Sequence, residues 1–379
     1  MKEKTKRHLF HDSRLWWLLS RYVFFMLRLF YRSITIEGKE KIPVKGPLIF
    51  APNHQNALMD PLAVLYASGM QIIFLARADI FRKPLLKAIF YWLKILPVYR
   101  IRDGRDQLAR NDTSFDISVE VLENGRAVGI FPEATHSDKW QLLPLKKGVP
   151  RLAFMAEEKH GFELGVKIVP VGIFYSNYEF MGSVLHLKFG EPVSVQDFKS
   201  DYQENDRRAQ MALRDAIGGA IRPLAVDISH KEDYDLYAGI LGLLTHSFSR
   251  RIKMKGNGSM RRFHARKAII ASLDRLRQDD SLEMQYLREK FAAFEQIKKE
   301  YGLDHEAAAG PERSLGGLLL RIGLFLSGLP LFVFGALNHL PFYLLVKKIC
   351  SGIADRQFHS SVKFVMALLG LPLYYFLIF

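Results

Sequence analysis

The chain has 379 residues, enough to bury a sizeable core and to form two or more structural units. Its 54 Lys and Arg against 39 Asp and Glu leave a formal charge of +15, a balance that suits nucleic acid or an anionic membrane surface, and 49% hydrophobic residues in so charged a chain imply that the apolar ones are segregated. The single cysteine, Cys350, excludes an internal disulfide and a Cys-rich zinc site and fits a reducing compartment.

After a basic lead, Leu15 to Tyr31 is rich in Trp, Phe and Leu but carries Arg21 and Arg28. Two charges in that length argue against a spanning helix, and no small-residue cleavage site follows to suggest a signal peptide. Trp16 and Trp17 beside periodic arginines suit a helix lying in a membrane interface; an amphipathic helix packed on the protein's own core is the alternative. From Ser33 to about Gly190 the pattern is α/β. Apolar runs at Ile34–Ile36, Leu48–Ala51, Ile72–Leu75, Ala127–Phe131, Val166–Phe174 and Val184–Phe189 read as strands, with a helix expected over Thr113–Asn124 between a cap-forming cluster and Gly125. The expected fold is a mixed, mostly parallel sheet covered by helices.

Asn53 to Asp60, Asn-His-Gln-Asn-Ala-Leu-Met-Asp, falls between the strand ending at Ala51 and a helix expected over Pro61–Ser68. Such a corner is where α/β proteins place chemistry. A neutral imidazole at His54 can accept a hydroxyl proton near pH 7, and a carboxylate on its other nitrogen would fix the tautomer and stabilise the imidazolium. Asp60 before Pro61 reads equally well as a helix cap.

Three more groups follow. Arg100 and Arg102 share one side of an extended segment and would clamp a phosphate; a solvated edge strand is the alternative. Phe131 to Ser137, Phe-Pro-Glu-Ala-Thr-His-Ser, presents Glu133, Thr135 and His136 beyond the end of a buried strand. Leu145 to Gly148 then adds Lys146 and Lys147.

In this order, with Val169-Pro170-Val171 after them, these motifs resemble the glycerolipid acyltransferases, the glycerol-3-phosphate and lysophosphatidate acyltransferase superfamily, over roughly Ile34 to Pro192. The resemblance implies a glycerol-3-phosphate acyltransferase-like α/β domain in which His54 is the general base and Asp60 orients it. It implies acceptor binding by Arg100, Arg102, Glu133, Thr135 and His136, with Lys146 and Lys147 as further phosphate ligands, and places Pro170 on the acyl side. The donor would be acyl-CoA or acyl carrier protein, the acceptor glycerol 3-phosphate or a lysophospholipid, with no cofactor and no metal. The family's third motif usually reads Phe-Pro-Glu-Gly-Thr-Arg-Ser, so Ala134 and His136 depart from it. A methyl group there threatens a left-handed backbone, and histidine lacks the bidentate fork of arginine.

Beyond Gly190 the pattern turns helical over Val193–Ile221 and Asp233–Tyr301. Arg250, Arg251, Lys253, Lys255, Arg261, Arg262, Arg266 and Lys267 form a run with no acidic residue. That run fits anionic lipid headgroups; nucleic acid is not expected, because no aromatic interleaving or nucleic-acid motif accompanies it. Leu315–Val346, apolar but for Arg321, Asn338 and His339, and Val362–Phe379 read as membrane segments. With a cytoplasmic catalytic region, the positive-inside rule applied to Lys347, Lys348, Arg356 and Lys363 favours a hairpin turning at Gly328-Leu329-Pro330. The expected organisation is an interfacial region at 1–32, the acyltransferase domain at 33–225, a basic helical extension at 226–312 and membrane helices at 313–379. A lysophospholipid-remodelling enzyme or a non-catalytic lipid-binding scaffold are the alternatives. A hydrolase is disfavoured by the lack of a Gly-x-Ser-x-Gly elbow.

Overall fold

The structure, a computed structural model, describes residues 10, 13–99, 110–251, 258–278, 282–302 and 315–378. The chain divides into two compact units, Met1–Ala225 and Val226–Phe379.

The first unit opens with α1 (Arg14–Phe30), whose start is capped by the Ser13 hydroxyl accepting the Trp16 N–H at 3.0 Å. Then follow β1 (Ser33–Glu37), β2 (Leu48–Pro52), α2 (Met59–Ser68), β3 (Ile72–Arg77), α3 (Pro84–Trp92), β4 (Ile95–Val98), α4 (Arg110–Glu123) and β5 (Ala127–Gly129). The unit closes with α5 (Gly148–Lys159), β6 (Lys167–Tyr175), β7 (Val184–Phe189), the short β8 (Val193–Ser194), α6 (Lys199–Glu204) and α7 (Asp206–Ile221). The strands form one sheet in the order β1-β7-β6-β2-β5-β3-β4, with β8 on β6. Pairing is parallel from β6 through β4 and between β1 and β7, while β7 and β8 run antiparallel to β6. The sheet is therefore mixed and mostly parallel.

All five residues of β2 are buried, as a central strand covered on both faces requires. Ile49 and Ala51 join a core with Val128, Phe154 and Leu213, whereas Phe50 on the other face meets Phe189 at 6.3 Å between ring centroids. Because β6, β2 and β5 are adjacent and parallel, their carboxyl ends lie side by side. The turns leaving those three strands hold the residues described below.

The second unit contains α8 (Tyr234–Arg251), α9 (Gly258–Gln278), α10 (Leu282–Tyr301) and α11 (Leu315–Ser351), then α12 (His359–Val365), a π-helical turn (Met366–Gly370) and α13 (Leu371–Ile378). Asp233 anchors the first three helices: its carboxylate accepts from Arg277 and from both Arg288 donors, each at 3.0 Å. The Arg288 guanidinium holds that carboxyl below the usual range. Of the basic run, Arg250, Arg251, Arg261 and Arg262 are exposed; Lys253 and Lys255 lie outside the described residues.

The expected hairpin at Gly328-Leu329-Pro330 is absent. α11 runs unbroken through Pro330 and Pro341, so the turn that the positive-inside argument favoured does not form. Two stretches, Gly316–Ser351 and Arg356–Ile378, are long and apolar enough to cross a membrane. The chain reverses after Ser351 instead, and the last helix folds back along α11. There the Tyr374 hydroxyl donates to the Asn338 carbonyl at 2.6 Å, and Tyr375 bonds His339.

Candidate active site

Asn53 sets the path of the chain out of β2. Its side-chain amide donates to the Ile173 carbonyl at 3.1 Å and its oxygen accepts the Ile173 N–H at 2.6 Å. The side chain thus continues the β2–β6 ladder one step past Pro52, which has no N–H to offer.

From that fixed point the chain coils back on itself. Ala57 has a positive φ of 28°, and the Met59 and Asp60 N–H groups both reach the Asn56 carbonyl. Three donors converge on Asp60 Oδ2 as a result: His54 Nδ1, the Gln55 N–H and the Asn56 N–H, each at 2.7 Å. The Tyr175 hydroxyl, from the end of β6, donates to Oδ1 at 2.6 Å. Asp60 is fully buried in the first turn of α2, where the helix dipole favours a negative charge. Four donors around one carboxylate compensate its desolvation.

Asp60 is therefore not an N-cap. Its carboxylate faces the histidine loop, and the cap position belongs to Leu58.

An acceptor-only carboxylate at Nδ1 requires the proton on that nitrogen and leaves the Nε2 lone pair available. No described residue forms a hydrogen bond to Nε2. The ring is sandwiched on one side by Phe131, with centroids 4.1 Å apart and stacked, and touched at its edge by His136 at 5.3 Å. Phe131 in turn stacks on Phe74 at 5.9 Å, and Phe74 lies where a Cβ on Gly129 would stand, 2.3 Å from its nearest ring atom. Gly129 makes room for the whole stack.

Glu133 holds backbone on both of its carboxylate oxygens. It is 2% exposed; Oε1 accepts the His54 N–H and Oε2 the Leu143 N–H, both at 2.8 Å. These two bonds brace the loop that carries His54. Pro170 is likewise buried, within β6 opposite Ala51.

Thr135, Lys146 and Lys147 are exposed and His136 is half-buried. The Lys146 N–H donates to the Pro132 carbonyl at 2.7 Å, which ties the lysine segment to the turn carrying Thr135 and His136. Arg100 and Arg102 lie outside the described residues.

Ala134 adopts the left-handed conformation with φ 57°, so the methyl group does not exclude it. The conformation is held by the Ala134 N–H on the Phe131 carbonyl at 3.1 Å, at a cost of about 1 kcal/mol over glycine. Ala134→Gly should accordingly raise stability by roughly 0.5–1 kcal/mol. Thermal unfolding in detergent would show it; an unchanged or lower midpoint would mean the turn carries no such strain.

Tyr175 is the site residue that motif spacing does not single out; Asn53 heads the motif but has no role assigned from sequence. Burial, with the Asp60 carboxylate adjacent, pushes the Tyr175 hydroxyl well above its ordinary pKa, so it stays a donor. Its only sequence signal is its place at the carboxyl end of the strand next to β2.

An imidazole held by a carboxylate, beside a turn of polar residues at the carboxyl ends of parallel strands, is an arrangement that can take up a proton. Residues 33–174 match the model of the Acyltransferase family. A 1-acyl-sn-glycerol-3-phosphate acyltransferase of Borreliella burgdorferi is 28% identical over 153 residues, 40% of this chain and 56% of the relative. Glycerol-3-phosphate O-acyltransferase 1 of Saccharomyces cerevisiae is 28% identical over 259 residues, 65% of this chain and 32% of the relative. A crystal structure of a 1-acyl-sn-glycerophosphate acyltransferase from Thermotoga maritima shares 22% identity at a TM-score of 0.39, covering 56% of this chain and 85% of that one. Over residues 33–174 these matches support the glycerolipid acyltransferase superfamily. It spans a little over half of the first relative's length and about a third of the second's.

Proposed function

We propose that the protein is a membrane-bound O-acyltransferase that moves a fatty acyl group from acyl-CoA or acyl carrier protein to a hydroxyl of glycerol 3-phosphate or 1-acylglycerol 3-phosphate. The observation that carries this reading is His54 with Nδ1 on buried Asp60 and Nε2 unbonded among the described residues. His54 Nε2 takes the acceptor hydroxyl proton as the oxygen attacks the thioester carbonyl. The C–O bond forms, the C–S bond breaks, and the proton on the imidazolium is released to the departing thiolate. Asp60 stabilises the imidazolium in between. No acyl-enzyme is required, because the thioester is already activated and positioning supplies the rest.

The turn at Thr135 and His136, with the tethered Lys146 and Lys147, would receive the acceptor's phosphate together with Arg100 and Arg102. His136 in place of the family's arginine shifts that task toward the other cations.

The test is thiol release from palmitoyl-CoA by the purified protein with glycerol 3-phosphate, lysophosphatidate, lysophosphatidylcholine or no acceptor. Acceptor-dependent release that drops about 10²–10⁴-fold in His54→Ala is expected. Release without acceptor would make the protein a thioester hydrolase; no release from palmitoyl-CoA or palmitoyl-acyl carrier protein with any acceptor would favour a lipid-binding scaffold.

We place the catalytic unit at the cytoplasmic face of the membrane, because a cytoplasmic thioester donor must reach it. In a Cys350→Ser chain carrying Val44→Cys, an impermeant maleimide should label only after cells are permeabilised. Labelling of intact cells would reverse the orientation.

A further inference from the structure

Two apolar features of the first unit meet at one point. On α1, Leu15, Leu18, Tyr22, Phe25 and Leu29 are all exposed, between 37% and 63%, and their spacing of three and four residues puts them on one stripe. Arg14, Arg21 and Arg28, seven residues apart and exposed, form a second stripe beside it. The other feature is the connection between β6 and β7, whose tip carries Phe180 at 58% and Met181 at 66% exposure. The two are joined through backbone: the Gly182 N–H donates to the Phe30 carbonyl at 2.8 Å and the Arg32 N–H to the Ser183 carbonyl at 2.9 Å. The tip is thereby fixed to the last turn of α1, where its apolar stripe ends at Leu29.

We propose that the Phe180–Met181 tip enters the lipid bilayer together with the apolar stripe of α1, the two forming one membrane-docking surface of the catalytic unit. A large aromatic and a methionine held at the apex of a turn expose apolar area that a water-facing loop has no use for. An arginine row beside the apolar stripe suits anionic headgroups. A protein partner would have to match both the apolar tip and that cationic row; an anionic bilayer matches both without further complementarity.

The same loop reaches the catalytic turn. The Asn56 side chain, whose own N–H lies on Asp60, donates to the Tyr178 carbonyl at 3.1 Å. A tip held in the bilayer therefore fixes the His54 turn next to the lipid surface, at a distance of a few residues. That docking stands on exposure and backbone bonds and does not depend on the reaction assigned to His54.

The full chain, with Cys350→Ser to remove its single cysteine, would carry Met181→Cys labelled with the environment-sensitive dye NBD. Phe25→Cys reports on α1. Val44→Cys, 90% exposed in the turn before β2 and so at the opposite end of that strand, serves as the aqueous control. Each protein is reconstituted into vesicles of phosphatidylcholine and phosphatidylglycerol with or without brominated acyl chains. Blue-shifted emission with about twofold or greater quenching by brominated lipid is expected at 181 and 25, and neither at 44. Water-like, unquenched emission at 181 would overturn the proposal. A blue shift without quenching would overturn it too, since the tip would then be covered by protein, such as a second copy of the chain. Thiol release is not part of the readout, so its failure and the failure of this docking are separable.

Discussion

Asp60→Asn should lower kcat about 10²–10⁴-fold while leaving the fold and the KM for acceptor nearly unchanged. The amide oxygen can replace Oδ2 and still accept from His54 Nδ1 and the Gln55 and Asn56 N–H groups. The amide nitrogen then stands where Oδ1 was, and the Tyr175 hydroxyl can turn from donor to acceptor to meet it. All four bonds to the side chain are kept, so most of the stability is retained. What disappears is the negative charge that stabilises the imidazolium formed as the hydroxyl proton moves. Asp60→Ala differs in kind, because it leaves several buried donors without a partner and should unfold the turn as well. Steady-state kinetics with thermal unfolding of both variants would separate the effects. An Asn variant with wild-type kcat would show that Asp60 is a structural anchor and not part of the proton transfer.

The pair was legible because it lies on one short turn whose spacing suits its chemistry, while its supports come from elsewhere in the chain. Tyr175 is 115 residues away, and in sequence it is one more aromatic in a strand. It becomes a site residue only once β6 pairs in parallel with β2, a register no local pattern records. The methyl group of Ala134 opposes a left-handed turn on steric grounds that hold for an isolated residue. The surrounding turn pays that modest strain through the hydrogen bond to Phe131. The strands of the sheet's centre were plain from continuous apolar runs, but β4 was hidden inside a segment judged by its arginines. At Gly328-Leu329-Pro330 two helix breakers suggest a turn. In a strongly apolar stretch the helix is the conformation that satisfies its own backbone, and it continues through proline.

Glu133 is the residue whose role changes most between motif and structure, and Glu133→Gln tests the change. As an acceptor ligand it would affect mainly the KM for acceptor, with stability untouched. As a brace it holds the His54 and Leu143 N–H groups on its two oxygens, and an amide can serve only one of them. The NH₂ group would face a backbone N–H, leaving a buried donor unsatisfied at about 1–3 kcal/mol. The thermal midpoint should therefore fall by several degrees. Because the displaced N–H is that of His54 itself or of the segment packed behind it, the imidazole should lose its alignment and kcat should fall on the order of tenfold. Glu133→Ala, which leaves both donors unpaired, should lower the midpoint further and kcat at least as much. The KM for acceptor should move little in either variant, because each oxygen already holds a backbone N–H. A raised KM at unchanged midpoint and kcat would return Glu133 to the acceptor site and would mean that the bonds to His54 and Leu143 give way when substrate binds.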